Sequence, residues 1–123
     1  MRILLTGGTG FIARNLHEQL SPEHDVTCCG RAALDLLDAP RVLNCVRDGR
    51  FDLVIHAATY DAAPKHSTKD PAKVLENNLR MFNSLVYSAQ ERIILVSPYF
   101  VPDDSMLYAI TTAAQSGIHV ELF

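Results

Sequence analysis

The sequence predicts an α/β fold in which helices cover both faces of a parallel β-sheet. Three observations lead to this prediction. Short apolar runs alternate with amphipathic stretches along the 123 residues, which is typical of successive βαβ units. The first apolar run passes directly into a glycine-rich turn, and aspartate or proline precedes each of the later amphipathic stretches. Crossovers of this kind are right-handed and connect parallel strands.

The first half of the chain is predicted to hold three strands and two helices. The strands cover residues 2–5, 25–29 and 53–57, and the helices cover residues 11–20 and about 40–48. Ile12, Leu16 and Leu20 recur at helical spacing in the first helix. Asp38 is positioned to cap the second helix, and Pro40 suits its first turn.

The second half is predicted to hold two more helices and two more strands. The third helix begins at Asp70 and runs to about residue 90, and the fourth begins at Asp103 or Asp104 and ends at Gly117, a natural left-handed C-cap. Strands are expected at residues 92–97 and 119–123. The inner stripe of the third helix is expected to consist of Val74, Leu75, Asn78, Phe82, Leu85 and Val86.

These elements predict a single three-layer, Rossmann-like domain with a five-stranded parallel sheet in the order 3-2-1-4-5. A chain of 123 residues has the length of one domain. In this order, helices one and two cover one face of the sheet, and helices three and four cover the other. The order 2-1-3-4-5 is less favoured, because three helices would crowd onto one face. The longest irregular segment, residues 61–70, follows strand three at the carboxyl edge, where such sheets bind ligands.

The turn after the first strand predicts a dinucleotide site. It reads Thr6-Gly7-Gly8-Thr9-Gly10-Phe11-Ile12-Ala13. Backbone N–H groups at a helix N-terminus, with the positive end of the helix dipole behind them, bind an anion without any side chain. Glycine permits the turn and lets a phosphate approach the backbone. The groups expected to cradle the pyrophosphate are those of Gly7, Gly8, Thr9, Gly10, Phe11 and Ile12.

Composition argues against several other classes of protein. The net charge is −3 and no basic cluster is present, which argues against nucleic acid as a partner. No apolar run approaches the ~20 residues of a membrane span, and the first residues read as a strand rather than a signal peptide. Cys28, Cys29 and Cys45 are odd in number and lack CxxC spacing, so a reducing, cytoplasmic setting fits best. No histidines have metal-ligand spacing.

Four motifs in the first part of the chain occur in a consistent order. They are Gly7-x-x-Gly10-x-x-Ala13, Asp35-Leu36-Leu37-Asp38, Asp52-Leu53-Val54-Ile55-His56-Ala57-Ala58-Thr59 and Glu76-Asn77-Asn78-Leu79. On these motifs, residues 1 to about 84 resemble the N-terminal part of an extended short-chain dehydrogenase/reductase. The similarity is greatest to nucleotide-sugar epimerase/dehydratases and dTDP-4-dehydrorhamnose reductases. Ala13 stands where that family usually has a third glycine.

The resemblance implies a NAD(P) site and assigns residues to it. Asp35 and Leu36 would lie beside the adenine. The side of the nicotinamide ribose would be lined by Ala57, Ala58 and Thr59. The motif at residues 76–79 lies in the third helix, where the family places an asparagine that braces strand four.

The end of strand two bears on the choice between NADP and NAD. NAD-selective sites usually place an acid there to bind the ribose 2′-hydroxyl. This chain has Arg31 at that point, and Arg14 lies close to the glycine turn. A guanidinium group can pair with a 2′-phosphate through two hydrogen bonds, which favours NADP over NAD. The alternative is that both arginines are ordinary solvated side chains.

The catalytic residues that the resemblance implies are incomplete. Extended reductases carry a serine or threonine after strand four and then Tyr-x-x-x-Lys. Ser97 stands near the position of the serine, but the sequence contains no Tyr-x-x-x-Lys: Tyr60 is followed at that spacing by Pro64. Tyr99 and Phe100 would cover the nicotinamide region or pack within the loop. We therefore predict no catalytic residues.

From about Ser88 onward the sequence resembles a different family. The string Pro98-Tyr99-Phe100-Val101-Pro102-Asp103, followed by residues 113–122, is similar to a β-α-β segment of cardiolipin synthases in the phospholipase D superfamily. That chemistry needs His-x-Lys motifs, and none is present. Two family signatures in one sheet suggest an engineered chimera joined near residues 81–90, and a truncated natural reductase is the alternative.

Three hypotheses about function follow. The chain is a NADP(H)-binding module without turnover, a designed or recombined scaffold with a vestigial nucleotide site, or a fragment that reacts only when a partner supplies the missing groups. Strand five ends with apolar Val120, Leu122 and Phe123 at a sheet edge. Because unpaired edges recruit partners, we expect a monomer or an edge-to-edge dimer.

Overall fold

The structure, a computed structural model, describes residues 1–61, 68–96 and 100–123. Within these ranges strands and helices alternate along the chain. The strands are β1 (Arg2–Thr6), β2 (Asp25–Cys29), β3 (Leu53–His56), β4 (Arg92–Leu95) and β5 (His119–Leu122). The helices are α1 (Phe11–Leu20), α2 (Ala39–Gly49), α3 (Pro71–Val86) and α4 (Asp104–Gln115). The predicted α/β class with parallel strands is confirmed.

The predicted strand order is wrong. β1 pairs in parallel with both β2 and β3, so the order is β2-β1-β3. Leu4 lies opposite Thr27 on one side and Val54 on the other. The prediction placed β3 outside β2, but the crossover through α2 carries the chain back past β1. An apolar strand such as β1 is stabilised most at the centre of a sheet, because neighbouring strands then bury both of its edges.

The helices are therefore distributed differently over the sheet. The prediction placed α1 and α2 together on one face. Leu4 of β1 packs in one cluster with Val42 and Val46 of α2 and Met81 of α3. Because successive residues of a strand face opposite sides, Ile3 and Leu5 turn toward the other face. α1, which contacts β1 and β2, lies outside that cluster. α2 and α3 thus share one face of the sheet.

The last two strands form a separate ladder. β4 pairs in parallel with β5, and within the described ranges no ladder joins this pair to β2-β1-β3. A second cluster contains Val86 of α3, Ile93 of β4, and Ala109 and Ala113 of α4. α3 thus connects the two sheets, since Met81 lies in the first cluster and Val86 in the second.

The helix caps agree with the sequence, whereas some ends do not. Aspartates cap α2, α3 and α4: the side chains of Asp38, Asp70 and Asp103 accept bonds from backbone N–H groups. Gly117 follows α4 with φ +89°, as predicted. β3 ends one residue earlier than expected and β4 two residues earlier.

The third helix differs most from the prediction. α3 ends at Val86 rather than near residue 90, because Ser88 donates both its backbone N–H and its hydroxyl to the Leu85 carbonyl, which closes a tight turn. Leu75, predicted on the inner stripe, is 62% exposed. No helix within the described ranges is both long and apolar enough to cross a membrane.

Candidate functional site

The candidate site lies where the strand order reverses. After β1 the chain crosses to β2 on one side, and later returns to β3 on the other. Crossovers in opposite directions leave a crevice at the carboxyl end of the central strand, and ligands of open α/β sheets bind in that crevice. The glycine turn follows Thr6, the last residue of β1, and so stands at the crevice.

One backbone hydrogen bond fixes the glycine turn to β2, and a second closes the turn on itself. Gly8 donates to the Cys29 carbonyl at 3.0 Å, and Gly10 donates to the Gly7 carbonyl at 2.7 Å. Gly7 has φ +79°, and a Cβ at this position would lie 2.6 Å from the Ala57 carbonyl oxygen. Only glycine fits there, because the backbone is left-handed and the end of β3 lies too close for a side chain.

The N-terminus of α1 is open, unlike those of the other helices. Its N-cap is Gly10, which offers no side-chain hydrogen bond, and its first turn contains no acidic residue. The other three helices each have an aspartate cap. The first N–H groups of a helix have no partner within the helix, and the dipole makes this end positive. The turn thus fits a phosphate group on backbone chemistry alone.

A cavity of about 140 Å³ opens beside this turn. It is bounded by the ends of β1, β2 and β3, by the segment after β2, and by Met81 of α3. Nine of the predicted site residues line it: Gly7, Thr9, Gly10, Arg31, Asp35, Leu36, Ala57, Ala58 and Thr59. The structure therefore brings the turn, the acidic motif and the end of β3 to one place, as the sequence predicted.

The other four predicted residues lie elsewhere. Gly8 and Arg14 line a second cavity of about 390 Å³, next to Cys28. The side chains of Phe11 and Ile12 are 75% and 62% exposed and line neither cavity. Arg14 and Arg31 thus line different cavities, which share Thr9 and Gly30, and a joint role of the two at one phosphate stays a prediction.

Charged groups meet an aromatic ring at the edge of the first cavity. Arg31 Nε lies 3.5 Å from Asp35 Oδ2, and Asp35 Oδ1 accepts a bond from the Leu37 N–H at 3.0 Å. The Arg31 guanidinium also lies over the Tyr60 ring, 5.4 Å from its centroid, and Lys69 Nζ lies 4.9 Å from the same centroid. Arg31 and Asp35 thus line this end of the cavity, and Lys69 lies beside the Tyr60 ring.

Sequence reasoning missed both Tyr60 and Lys69. Tyr60 follows directly after Thr59, so its place next to the motif was the available signal. Lys69 had no such signal, because its position depends on how the chain returns from β3 to α3.

The predicted asparagine of the third helix has a definite partner. Asn78 Oδ1 accepts a bond from the Tyr60 N–H at 2.9 Å and lies 3.3 Å from the Thr59 hydroxyl. Asn78, one of the two asparagines in the predicted motif, therefore braces the segment after β3. Its Nδ2 donates to the Val74 carbonyl, which fixes the amide in place.

Cys29 and His56 lie near the turn and contribute little charge at pH 7. Burial, together with neighbouring Cys45 and Cys28, raises the pKa of the Cys29 thiol, which lines the cavity in its neutral form. The His56 Nδ1 lies 2.9 Å from the Thr6 hydroxyl. Desolvation by the surrounding protein lowers the pKa of His56, so the ring is neutral at pH 7 although part of its surface stays exposed. Ser97 and Tyr99, considered for the catalytic region, lie outside the described residues.

Comparison with known proteins identifies relatives over nearly the whole chain. The family described as "RmlD substrate binding domain" matches residues 1–114. That match continues beyond residue 84, where the sequence predicted that reductase-like character ends, and passes through β4 into α4.

Solved reductases share the fold. A dTDP-4-dehydrorhamnose reductase from Bacillus anthracis, in complex with NADP, superposes with a TM-score of 0.67 at 19% identity, covering 99% of this chain and 51% of that one. A GDP-mannoheptose C4 reductase from Campylobacter jejuni, with NADP bound, gives 0.72 at 13% identity, covering 98% and 49%. The enzyme WbmG from Bordetella bronchiseptica, with NAD and UDP, gives 0.68 at 19%, covering 99% and 52%. The chain spans about half the length of these structures.

A second, short similarity points to another family. Cardiolipin synthase A from Yersinia pseudotuberculosis is 54% identical over 37 residues, which are 30% of this chain and 8% of that protein.

Proposed function

Because this chain belongs to the RmlD substrate-binding domain family, we propose that it binds NADP(H) on the turn between β1 and α1. The observation that carries the proposal is the uncapped N-terminus of α1, which stands over a glycine turn at the reversal of the strand order. An anion is the ligand that such a helix end favours. The pyrophosphate of a dinucleotide supplies two negative charges at that point.

The remaining parts of the cofactor would extend along the same cavity. Asp35 and Leu36 would border the adenine, and Ala57, Ala58 and Thr59 would line the nicotinamide ribose side. Phe11 and Ile12 would contribute their backbone N–H groups, so the exposure of their side chains does not conflict with this role. Gly8 would shape the turn instead, because its N–H already donates to the Cys29 carbonyl. Arg14, in the second cavity, has no part in this proposal.

The preference for NADP over NAD rests on Arg31. Two of the solved relatives described above hold NADP and one holds NAD. The guanidinium of Arg31 lies at the edge of the cavity beyond the end of β2. A 2′-phosphate on the adenosine ribose would find a positive partner there, whereas an NAD site would need a free acid. Asp35 is engaged by Arg31 and by the Leu37 N–H instead.

We propose binding without turnover by these 123 residues alone. The sequence contains no Tyr-x-x-x-Lys, so the proton donor of extended reductases has no counterpart in it. A fragment of a nucleotide-sugar epimerase or reductase, completed by further chain or by a partner, remains the alternative, because the relatives are about twice as long. Three free cysteines support a reducing, cytoplasmic setting.

We also retain the proposal that two ancestries meet in this chain, within one domain. Its support is the contrast between 54% identity to a cardiolipin synthase over 37 residues and 19% or less to the three solved enzymes described above. The proposed junction, residues 81–90, begins in the helix that touches both cores. An engineered origin would explain this pattern. A scaffold with a vestigial site is then the competing function.

Fluorescence titration with NADPH tests the binding proposal. A Cβ at Gly10 meets only the Gly7 carbonyl oxygen, at 3.1 Å, so Gly10→Val should fold while its side chain blocks the phosphate. Ala114→Val, on the exposed surface of α4, adds the same side chain far from the turn and serves as the control. We expect saturable binding by the wild type and by the control, and a loss of at least about tenfold in affinity for Gly10→Val. A folded wild type that does not bind NADPH would favour the scaffold.

A further inference from the structure

Tyr60 lines the first cavity and is held in place from two sides. Its backbone N–H donates to Asn78 Oδ1 of α3 at 2.9 Å. Its side chain packs against the buried cluster that includes Leu36 and Met81, and it lines the cavity together with these two residues. Because neither contact depends on a ligand, the ring keeps its place whether or not the cavity is filled.

The side chain of Arg31, which lines the same cavity, is held less firmly. It is 64% exposed, and its ion pair with Asp35 measures 3.5 Å from Nε to Oδ2. An ion pair between groups this exposed contributes at most about 1 kcal/mol. The Tyr60 ring supplies the second interaction of this side chain within the described ranges, with its centroid 5.4 Å from Arg31 Cζ. The ring is thus the better anchored of the two partners.

The two partners leave part of the guanidinium group available to a ligand. Asp35 lies nearest Nε, and the ring attracts the positive charge through its face. Among the described residues, the terminal N–H groups of Arg31 have no hydrogen-bond acceptor. These are groups with which a guanidinium binds a phosphate through two hydrogen bonds. A ring beneath the guanidinium can therefore restrict its position without using those donors.

We propose, on the basis of the proposed cofactor binding, that Tyr60 is a positioning residue for cofactor selectivity. Its ring holds the Arg31 guanidinium at the cavity, so that the terminal N–H groups meet the 2′-phosphate of NADP(H). NADH lacks this phosphate, so the ring raises the affinity for NADPH relative to NADH. A cation–π contact of about 0.5–1 kcal/mol at an exposed site corresponds to about two- to fivefold in this relative affinity.

The test measures the ratio of the dissociation constants of NADH and NADPH, because a loss that both dinucleotides share cancels in the ratio. We expect Tyr60→Leu to lower the ratio about two- to fivefold, whereas Tyr60→Phe, which keeps the ring, should leave it unchanged. Tyr108→Leu makes the matched change on the exposed surface of α4 and should also leave it unchanged. The ratio for 5′-ADP and 2′,5′-ADP, which lack the nicotinamide half, should fall in the same way in Tyr60→Leu.

A double-mutant cycle tests whether the ring acts through Arg31. Arg31→Gln should itself lower the ratio, and Tyr60→Leu should have no further effect in that background, because the ring then has no guanidinium to hold. An effect of the ring through Lys69, whose Nζ lies 4.9 Å from the same centroid, would persist in the Arg31→Gln background and would overturn the proposal.

Two other outcomes separate this proposal from the cofactor site. An unchanged ratio in Arg31→Gln, or in Tyr60→Leu with the fold retained by circular dichroism, would overturn the role of Tyr60 and leave the cofactor site standing. Failure of the folded wild type to bind either dinucleotide would overturn both.

Discussion

The amino-terminal region (residues 1–61) and the carboxyl-terminal region (residues 91–123) are both built from βαβ units. They differ in how far neighbouring strands and helices bury their strands. β1 has a strand on each side and helices over both faces, and Leu4 is fully buried. Among the described residues β4 pairs with β5 alone, and Ile94 on its outer face is 49% exposed. Except for Met81 of α3, every described residue that lines the candidate cavity belongs to the amino-terminal region. Burial and candidate chemistry are thus concentrated in the same region.

Burial of the central strand and the candidate binding turn are connected in this fold. Parallel strands depend on cover from both faces. A central strand held in this way fixes the turn that follows it, and a turn that is to bind a phosphate through its backbone must be held in place. The two regions should therefore differ in stability and in binding as they do in packing.

The largest effect is expected from shortening a leucine in a strand of each region. Leu4→Ala should lower the free energy of unfolding by about 3–5 kcal/mol, because it empties a buried position between α2 and α3. Leu122→Ala in β5 should cost less than about 1 kcal/mol, because half of that side chain is already in solvent. Urea unfolding measures both. Similar losses would contradict the difference in cover.

The second effect concerns two glycines with positive φ. Gly7→Ala should cost more than about 2 kcal/mol, because strain is combined with a contact of 2.6 Å to the Ala57 carbonyl oxygen. Gly117→Ala, with φ +89° and no atom within 4 Å, should cost only the backbone strain, about 1 kcal/mol. Thermal unfolding of the two variants compares them. Equal losses would show that β3 yields to the added methyl group.

The sequence predicted the local features of the fold but not the pairing of distant strands. Local signals worked: Asp38, Asp70 and Asp103 cap the helices that follow them, and Gly117 ends α4 in a left-handed conformation. Strand order depends on which distant strands pair, and counting helices per face did not reveal that β3 returns to β1.

The candidate site shows the same limit. Motifs next to strand ends predicted nine residues of the cavity, because the ends of parallel strands meet at one edge. Arg14 lines the adjoining cavity, because closeness in sequence to the glycine turn does not determine on which side of α1 a side chain lies. Lys69 was missed because its neighbour, Tyr60, is near in space only once the segment between β3 and α3 has folded.

Removing one helix cap in each region should lower the free energy of unfolding by a smaller amount, and by the same amount in both regions. Asp38→Ala and Asp103→Ala should each cost about 1 kcal/mol, because each removes an acceptor of one N–H group in the first turn. Asp104→Ala, an acid of the first turn of α4 that is not its N-cap, should cost a few tenths of a kcal/mol and is the control. Chemical unfolding of the three variants would show whether local terms are alike while burial differs. A far larger loss for either cap would contradict this.

The smallest effect is a pH dependence that differs between the regions. The pKa of His56 is lowered in the folded protein, so below about pH 6.5 the unfolded chain binds more protons and stability falls as pH falls. Hydrogen bonding to Arg92 lowers the pKa of Glu121, so that residue's contribution is lost only at more acidic pH, below about 4.5. Urea midpoints at pH 7.5 and 5.5 should differ less in His56→Gln than in the wild type. An unchanged difference would exclude His56 as its source.

The most direct test of the central claim is an NMR titration of the isotopically labelled chain with NADPH, followed amide by amide. If the turn between β1 and α1 binds the cofactor, signals of the glycine turn, the first turn of α1 and residues 57–59 should shift in a saturable way, while those of β4, α4 and β5 should not. Shifts confined to the carboxyl-terminal region, or none at any concentration in a folded protein, would contradict it.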